Sequence, residues 1–557
     1  MKPCIFIPLI LAFTLSLSAC NEAVKCDIHQ AVKKAELRAA NTPLVELTVG
    51  LKNDATSMAL IPSMISQEET EGQLVPQSHL STGAKLQLLD QKGVVLFEDN
   101  VPNLIEARQR IGNEILKTGD PAQIAEFDRL IQSQAYAVQV PRILEATRVR
   151  LTIEDPDKSL ASLSTKLKAI PTTFDFKLSD IPRTSPNELD ELAATGGVKI
   201  EPIHYSGNSH QRLNIIIISD GYRDAEMPRF RIDVEKLKKH ILGQNPFSQY
   251  TDYFNIWRVE VPSAESGANC DDNKYQFRKI QFGTTFPVAC INAIFKSHYS
   301  DRFIIQTNIK RVLDVARLVR ENGKSVPSQI FVLANSPKYG GTAIYWASQN
   351  NTSSPEVFTH ELGHSFGGLA DEYTVPGDPC MLFNLFKPNV SFKRNKIENV
   401  KWARWIENGT PIPTPDTKAY VNTVGLFQGA SDCPKLFYRP ERTCKMQSNY
   451  GSYCHICREQ IMLRLYDYVR PLHGKLVFTR VHQDSYQFAA QPSRLELDTH
   501  WYVDGKEERA SATYSPLSIH LKPGKHTVAL SVRDANPYIR QDLCHFFEAR
   551  AVQLEVK

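Results

Sequence analysis

A chain of 557 residues, at roughly 150 residues per domain, has room for three or four domains. Its 65 basic and 61 acidic side chains leave a net charge of +4, which excludes both a strongly basic field for nucleic acid and an acidic tail. A hydrophobic share of 42% with 23% charged residues excludes wholesale disorder, a collagen-like fibre and a polytopic membrane protein.

Residues 1–19 read as a signal peptide. Lys2 precedes an apolar run from Ile5 to Ala19, too short to span a bilayer and of the length of a signal-peptide core. The run ends in Leu17, Ser18, Ala19 and Cys20, which resembles the bacterial lipobox; leucine at 17 suits ordinary signal cleavage poorly. Cys20 is therefore the expected lipidation site. By the same resemblance, Asn21 in place of aspartate favours the outer membrane. The expectation is a lipoprotein of the bacterial cell envelope, periplasmic or surface-exposed, held to the membrane by its lipid anchor alone. Cys4 leaves with the leader and Cys20 is acylated, so eleven cysteines become nine (11 − 2 = 9). In an oxidising envelope most should pair, with one left over.

Residues 20–44 read as a polar spacer and 45–180 as a β-sandwich-like domain with a helical insertion. Segments 85–89 and 94–98 flank a turn and predict a hairpin, and 136–140 and 147–153 predict further strands. Between them, 103–117 and 121–134 carry apolar residues at helical spacing. Residues 181–210, rich in Pro, Ser and Gly, read as a linker. From Leu213 the pattern changes. The run NIIIIS over 214–219 predicts a strand buried on both faces. Helices at 230–242 and 309–321 alternate with strands at 254–261 and 329–334, as in an α/β layer domain over 211–470. Short strands at 475–481, 495–503 and 527–533 follow, so 471–557 reads as an immunoglobulin- or PKD-like β-sandwich.

The chemistry lies in residues 356–373, EVFTHELGHSFGGLADEY. On a helix, His360 and His364 stand one above the other, so both imidazoles can reach one metal ion. Glu361 is placed beside the open metal position, where it can take a proton from a zinc-activated water. Phe358, Leu362 and Phe366 give the helix an apolar side, and Gly367 and Gly368 end it. A third ligand is needed. In the metzincin pattern HExxHxxGxxH/D the last position is Ala370 here, which cannot bind metal. Counting from Gly368 gives Asp371 as the third ligand, with Glu372 as the alternative.

These motifs have company. Ser219-Asp220-Gly221-Tyr222, Phe254-Asn255-Ile256-Trp257, 262–267 (PSAESG), Tyr339-Gly340-Gly341, 424–429 (VGLFQG), Tyr438-Arg439-Pro440, Cys444-Lys445-Met446 and 454–459 (CHICRE) resemble, with the histidine block, bacterial zinc metallopeptidases of the IgA-specific metalloendopeptidase family. The resemblance spans about 213–465. It implies a metzincin-like α/β zinc peptidase domain between two β-rich flanks, an α+β multidomain fold, with one catalytic Zn2+. It also implies a Met-turn at Met446, an apolar floor beneath the histidines. The immunoglobulin substrate does not transfer with the fold, because specificity lives in grafted loops. The expected partner is a protein or peptide, with host glycoprotein or immunoglobulin as candidates. In metallopeptidases of this layout substrate pairs with an edge strand ahead of the active helix; Gly340, Gly341 and Thr342 begin the candidate segment.

Asp220 is expected to cap its turn rather than join the active centre. Tyr373, Tyr438 and Tyr450 are unranked candidate donors to an oxyanion. Cys433, Cys444, Cys454 and Cys457 could form a structural zinc knot or a redox pair, but only one Cys-x-x-Cys is present, and structural disulfides are expected. Cys270 with Cys290 would close a local loop, and Cys380 would join the 433–457 group. The functional expectation is a zinc endopeptidase. Its alternative is a non-catalytic surface lipoprotein, an adhesin or binding protein, with a structural zinc site.

Overall fold

The computed structural model describes residues 42–53, 60–72, 83–153, 173–183, 197–341, 346–349, 353–375, 380, 384, 386–392, 397–540 and 548–556, single positions 103, 133, 327, 495 and 535 excepted. The leader, Cys20, Cys26, Thr342 and Cys544 lie outside these residues. The architecture is mixed α/β, with many sheets and eight α-helices among the described residues. Residues 41–469 form one compact unit, and the C-terminal segment from Arg470 another.

In the larger unit the described residues from 42 to 177 build two antiparallel sheets. One orders the strands Leu60–Gly72, Thr42–Asn53 and Ala135–Pro141; the other orders Val95–Asn100, Ala84–Leu89, Arg148–Ile153 and Thr173–Lys177. The expected hairpin is present, its turn closed by Asp90 Oδ1, which accepts from the amides of Lys92 and Val94, both at 2.8 Å. Helices Leu104–Thr118 and Pro121–Ile131 contribute Leu104, Ile111, Ile115, Phe127 and Leu130 to the same core. That core continues without a break into Phe286, Val288 and Ile304.

The central sheet orders Trp346–Gln349, Ser328–Ala334, Leu213–Asp220, Phe254–Glu260 and Lys199–Tyr205, parallel except for the last pairing. The last strand lies within the stretch read as linker. All eight residues of Leu213–Asp220 are buried, as a strand covered on both faces requires. The two-residue period shows where its neighbours lie. Ile216, Ile218 and Val332 pack with Val312, Val315 and Ala316 of the Ile309–Arg317 helix. Phe331, one residue off that register, meets Phe358 of the Ser354–Ser365 helix instead, ring centroids 4.3 Å apart. The sheet thus carries the histidine helix on one face.

The helix expected over 309–321 ends four residues early, at Arg317. Arg320–Glu321 and Lys324–Ser325 pair as a tiny hairpin around Asn322 (φ 53°) and Gly323 (φ 78°). Asn-Gly with both residues left-handed is the type I′ turn signal, and it overrides the helical periodicity.

The C-terminal unit has two antiparallel sheets. Leu472–Arg480, Ser485–Pro492 and Leu517–His520 form one; Lys506–Ser511, Asp498–Val503, Gly524–Arg533 and Glu548–Val556 form the other. Phe488, Trp501, Leu517, Val528 and Leu530 share one core between them.

Candidate metal centre

The Ser354–Ser365 helix starts with Pro355 in its first turn and buries Val357, Phe358 and Leu362 against the sheet. It stops at the two glycines. Gly368 has φ 63°; its amide bonds to the His364 carbonyl at 2.9 Å and the Leu369 amide to the Gly363 carbonyl at 3.0 Å. This left-handed glycine closure turns the chain back under the helix. Asp371 returns to the histidines by that route.

His360 Nε2 and His364 Nε2 lie 3.1 Å apart. Asp371 Oδ1 is 3.0 Å from the first and 3.2 Å from the second. Tetrahedral coordination at roughly 2.0–2.1 Å per ligand puts donor atoms about 3.3 Å from one another, so this triangle has the dimensions of three corners of such a site. The opposite ring nitrogens are occupied: His360 Nδ1 meets the Lys445 carbonyl at 2.9 Å, and His364 Nδ1 the Leu369 carbonyl at 2.8 Å. A carbonyl can only accept, so each Nδ1 carries a proton, which leaves Nε2 as the ligand atom of each ring, directed at Asp371. Burial draws the His360 pKa down, and the Asp371 carboxylate more than compensates, leaving it raised. A proton there occupies the place a cation would take. The three residues fit a metal.

Glu361 follows His360 on the helix and is 9% exposed; its Oε2 is buried and has no hydrogen-bond partner. Its room depends on the preceding segment, since a Cβ at Gly341 would stand 2.8 Å from Glu361 Oε1 and 2.8 Å from Val357 Cγ1. A Cβ at Gly340 would stand 2.5 Å from the Arg302 carbonyl oxygen. Gly340 and Gly341 precede the edge strand, which runs over Trp346–Gln349, and do not lie within it.

Met446 passes directly beneath the helix. A Cβ at Gly363 would be 2.6 Å from Met446 Sδ and 3.0 Å from a ring carbon of Tyr453. The Met446 carbonyl also accepts the Glu372 amide at 2.7 Å. Glu372, although next to Asp371, points elsewhere: Oε1 accepts from Asn389 Nδ2 at 2.9 Å and lies 3.2 Å from Cys457 Sγ. Lys445 is fully buried, its ammonium donating to Glu356 and to the Asn449 carbonyl, so the turn that supplies the His360 partner is pinned from below.

The other candidates separate. Asp220 is wholly buried and accepts from the amides of Gly221, Gln281, Phe282 and Thr284 at 2.9–3.2 Å and from the Thr284 hydroxyl. It organises the 281–284 loop, as a capping residue does. Burial pushes its carboxyl up while those donors pull it down, and burial prevails. Tyr373 stacks under Arg302, Tyr438 is buried in a strand, and the Tyr450 hydroxyl meets Ser353 Oγ at 3.0 Å. Tyr339, part of the Tyr339-Gly340-Gly341 motif but not among those three oxyanion candidates, is a fourth tyrosine of interest. Its hydroxyl accepts from Asn449 Nδ2, and its phenol is pushed up by burial first and by the Glu361 charge second. Its position immediately before Gly340-Gly341 was the available signal.

Cys270–Cys290 is a disulfide, the expected local closure, and Cys380 joins the 433–457 group through a disulfide to Cys433. Cys444, Cys454 and Cys457 are buried free thiols, which corrects the expectation of disulfides throughout that group. An odd set of three around one carboxylate cannot be closed by pairing.

No curated protein matches the chain. The family model described as IgA Peptidase M64 matches residues 201–422, a stretch that includes the histidine helix and Asp371 and ends before Met446. The match over this stretch supports a metallopeptidase of the IgA peptidase M64 family.

Proposed function

We propose that the protein is a zinc-dependent endopeptidase that hydrolyses peptide bonds of protein substrates, with Glu361 as general base. The observation that carries this is the convergence of His360 Nε2, His364 Nε2 and Asp371 Oδ1 within 3.2 Å, with both Nδ1 atoms already committed to carbonyls. When bound, the metal would be held by these three residues and would lower the pKa of a water to about 7. Glu361, with a buried unpartnered oxygen beside the first ligand, takes the proton and returns it to the leaving amine. A structural metal site needs ligands but no base, so this carboxylate favours an enzyme over the adhesin reading. The substrate lies along Trp346–Gln349, which ends the central sheet and pairs on one side only among the described residues.

In this reading the core is metzincin-like, with Met446 as its Met-turn, and the two β-rich flanks are sandwiches, the C-terminal one immunoglobulin-like. The leader delivers the protein to the outer membrane as a lipoprotein anchored through Cys20; palmitate labelling lost in Cys20→Ser tests this.

Cleavage profiling against a mixed peptide and protein library, immunoglobulin A included, tests the activity. The expected result is cleavage by wild type that chelation abolishes and zinc restores, and none by Glu361→Ala with its metal still bound. Zinc-loaded wild type that cleaves nothing, yet binds a protein ligand equally well as Glu361→Ala, would overturn the assignment in favour of the adhesin.

A further inference from the structure

Asp371 and Glu372 are consecutive residues that serve two different clusters. Asp371 closes the histidine site. Glu372 turns the other way, into a wholly buried group with Cys444, Cys454 and Cys457, whose ligand atoms and Glu372 Oε1 all lie within 4.8 Å of one another. The separations are informative. Cys444 Sγ to Cys457 Sγ is 3.7 Å, Cys454 Sγ to Glu372 Oε1 is 3.7 Å, and Cys457 Sγ to Glu372 Oε1 is 3.2 Å. A tetrahedral ion with bonds of roughly 2.3 Å to sulfur and 2.0 Å to oxygen has sulfur–sulfur edges of about 3.8 Å and sulfur–oxygen edges of about 3.5 Å. The three separations lie within about 0.3 Å of those edges.

Two further observations point to a ligand. Glu372 Oε2 is buried without any hydrogen-bond partner, an arrangement that costs free energy unless something charged or polar occupies the space it faces. The backbone also presents donors to sulfur. Cys444 Sγ accepts from the amides of Met446 at 3.4 Å and Cys454 at 3.3 Å, and Cys454 Sγ accepts from the Cys457 amide at 3.5 Å. Cys454 is also the N-cap of the 14-residue His455–Tyr468 helix, whose positive end offsets thiolate charge. Amides aimed at sulfur, a helix start and an odd number of thiols suit thiolate ligation and not a disulfide.

We infer that Cys444, Cys454, Cys457 and Glu372 form a second, structural zinc site, with four protein ligands and no open position for water. Its place explains its use. Cys444 precedes Lys445 and Met446, which supply the His360 carbonyl partner and the floor under Gly363; Glu372 follows the third ligand; Cys454 starts the terminal helix of the domain. One ion would tie these three segments together directly behind the histidine site, where short loops alone would have to hold it. The thiolates are fully buried, so the ion is retained for stability and is not a second catalytic centre.

The test uses the full-length protein with zinc or cobalt as the probe. Wild type loaded with zinc and dialysed is expected to hold two equivalents, His360→Ala/His364→Ala one, and Cys454→Ser/Cys457→Ser no more than one. Cobalt(II) added to His360→Ala/His364→Ala should give an intense sulfur-to-cobalt charge-transfer band, lost on adding Cys457→Ser. Because that band is read without the histidines, it stands or falls separately from the peptidase assignment. Should the cysteine variants fail to fold, Glu372→Gln keeps all three thiols and is expected to weaken zinc retention at least tenfold. A histidine variant that holds no zinc and gives no cobalt band overturns the proposal. So does mass spectrometry of the alkylated native chain showing a disulfide between any two of the three cysteines.

Discussion

Gly341 touches Glu361 closely enough that a methyl group there would overlap its carboxylate oxygen at 2.8 Å. The approach is made by backbone against a side chain on a buried helix turn, and the same methyl group would stand 2.8 Å from Val357 Cγ1. Gly341→Ala is therefore expected to displace the carboxylate without touching the histidines. Peptidase activity should fall by tenfold to a hundredfold, about 1.4–2.8 kcal/mol of transition-state stabilisation, with zinc content unchanged. Full activity in Gly341→Ala would show that Glu361 has room to spare and that its placement is not critical.

Tyr339 stands just ahead of that glycine pair, and the Glu361 charge is felt at its hydroxyl. A neutral phenol two residues ahead of the glycine that meets the base is suited to donate to the oxygen of the tetrahedral intermediate. Tyr339→Phe is expected to lower kcat by about tenfold to a thousandfold while KM changes little, the pattern of a contact made in the transition state alone. Steady-state kinetics on one fluorogenic peptide decide it; a change confined to KM would make the tyrosine a substrate-binding residue instead.

Much of this was legible beforehand, for physical reasons that differ by element. The buried strand at Leu213–Asp220 announced itself by an uninterrupted apolar run, and the histidine pair by a four-residue spacing that has meaning only on a helix. The early end of the helix at Arg317 was signalled by Asn322-Gly323, which a helical periodicity across 309–321 masked. Asp371 against Glu372 was not decidable, because one residue around a left-handed glycine turn reverses the direction of a side chain. The thiol cluster was hidden for a different reason: its fourth member, Glu372, lies more than seventy residues from the nearest of the cysteines. No local spacing reports such a site.

Met446 and Gly363 make a second close pair, with a Cβ on the glycine 2.6 Å from the sulfur. Met446→Leu conserves volume and is expected to cost less than about 1.5 kcal/mol with modest loss of activity. Gly363→Ala pushes against the floor and against Tyr453, and should cost about 1–3 kcal/mol. In a Met446→Ala background the same substitution should be tolerated better, since the sulfur is gone. A double-mutant cycle by urea denaturation measures this coupling, and additivity of the two changes would rule out direct contact.

Asp416 bridges two arginines, Oδ2 taking Arg439 Nη2 at 2.7 Å and Oδ1 taking Arg442 Nε at 2.6 Å. Arg439 is itself buried and donates to the carbonyls of Gln428 and Gly429, so the carboxylate secures a cation that holds the strand pair in place. Arg442 first, then Arg439, hold the Asp416 carboxyl below its ordinary value. A depressed native pKa means stability that is fully present above the unfolded value of about 3.9 and lost as pH falls through the native one. Asp416 is 49% exposed, so solvent screens the pair and the effect at neutral pH should stay within about 1 kcal/mol. Asp416→Asn is thus expected to melt below wild type at pH 7, with the gap closing as the buffer is taken below about pH 3. Thermal melts of both proteins across that range check the sign. A gap that widened in acid would mean that the carboxylate is held by something other than its two arginines.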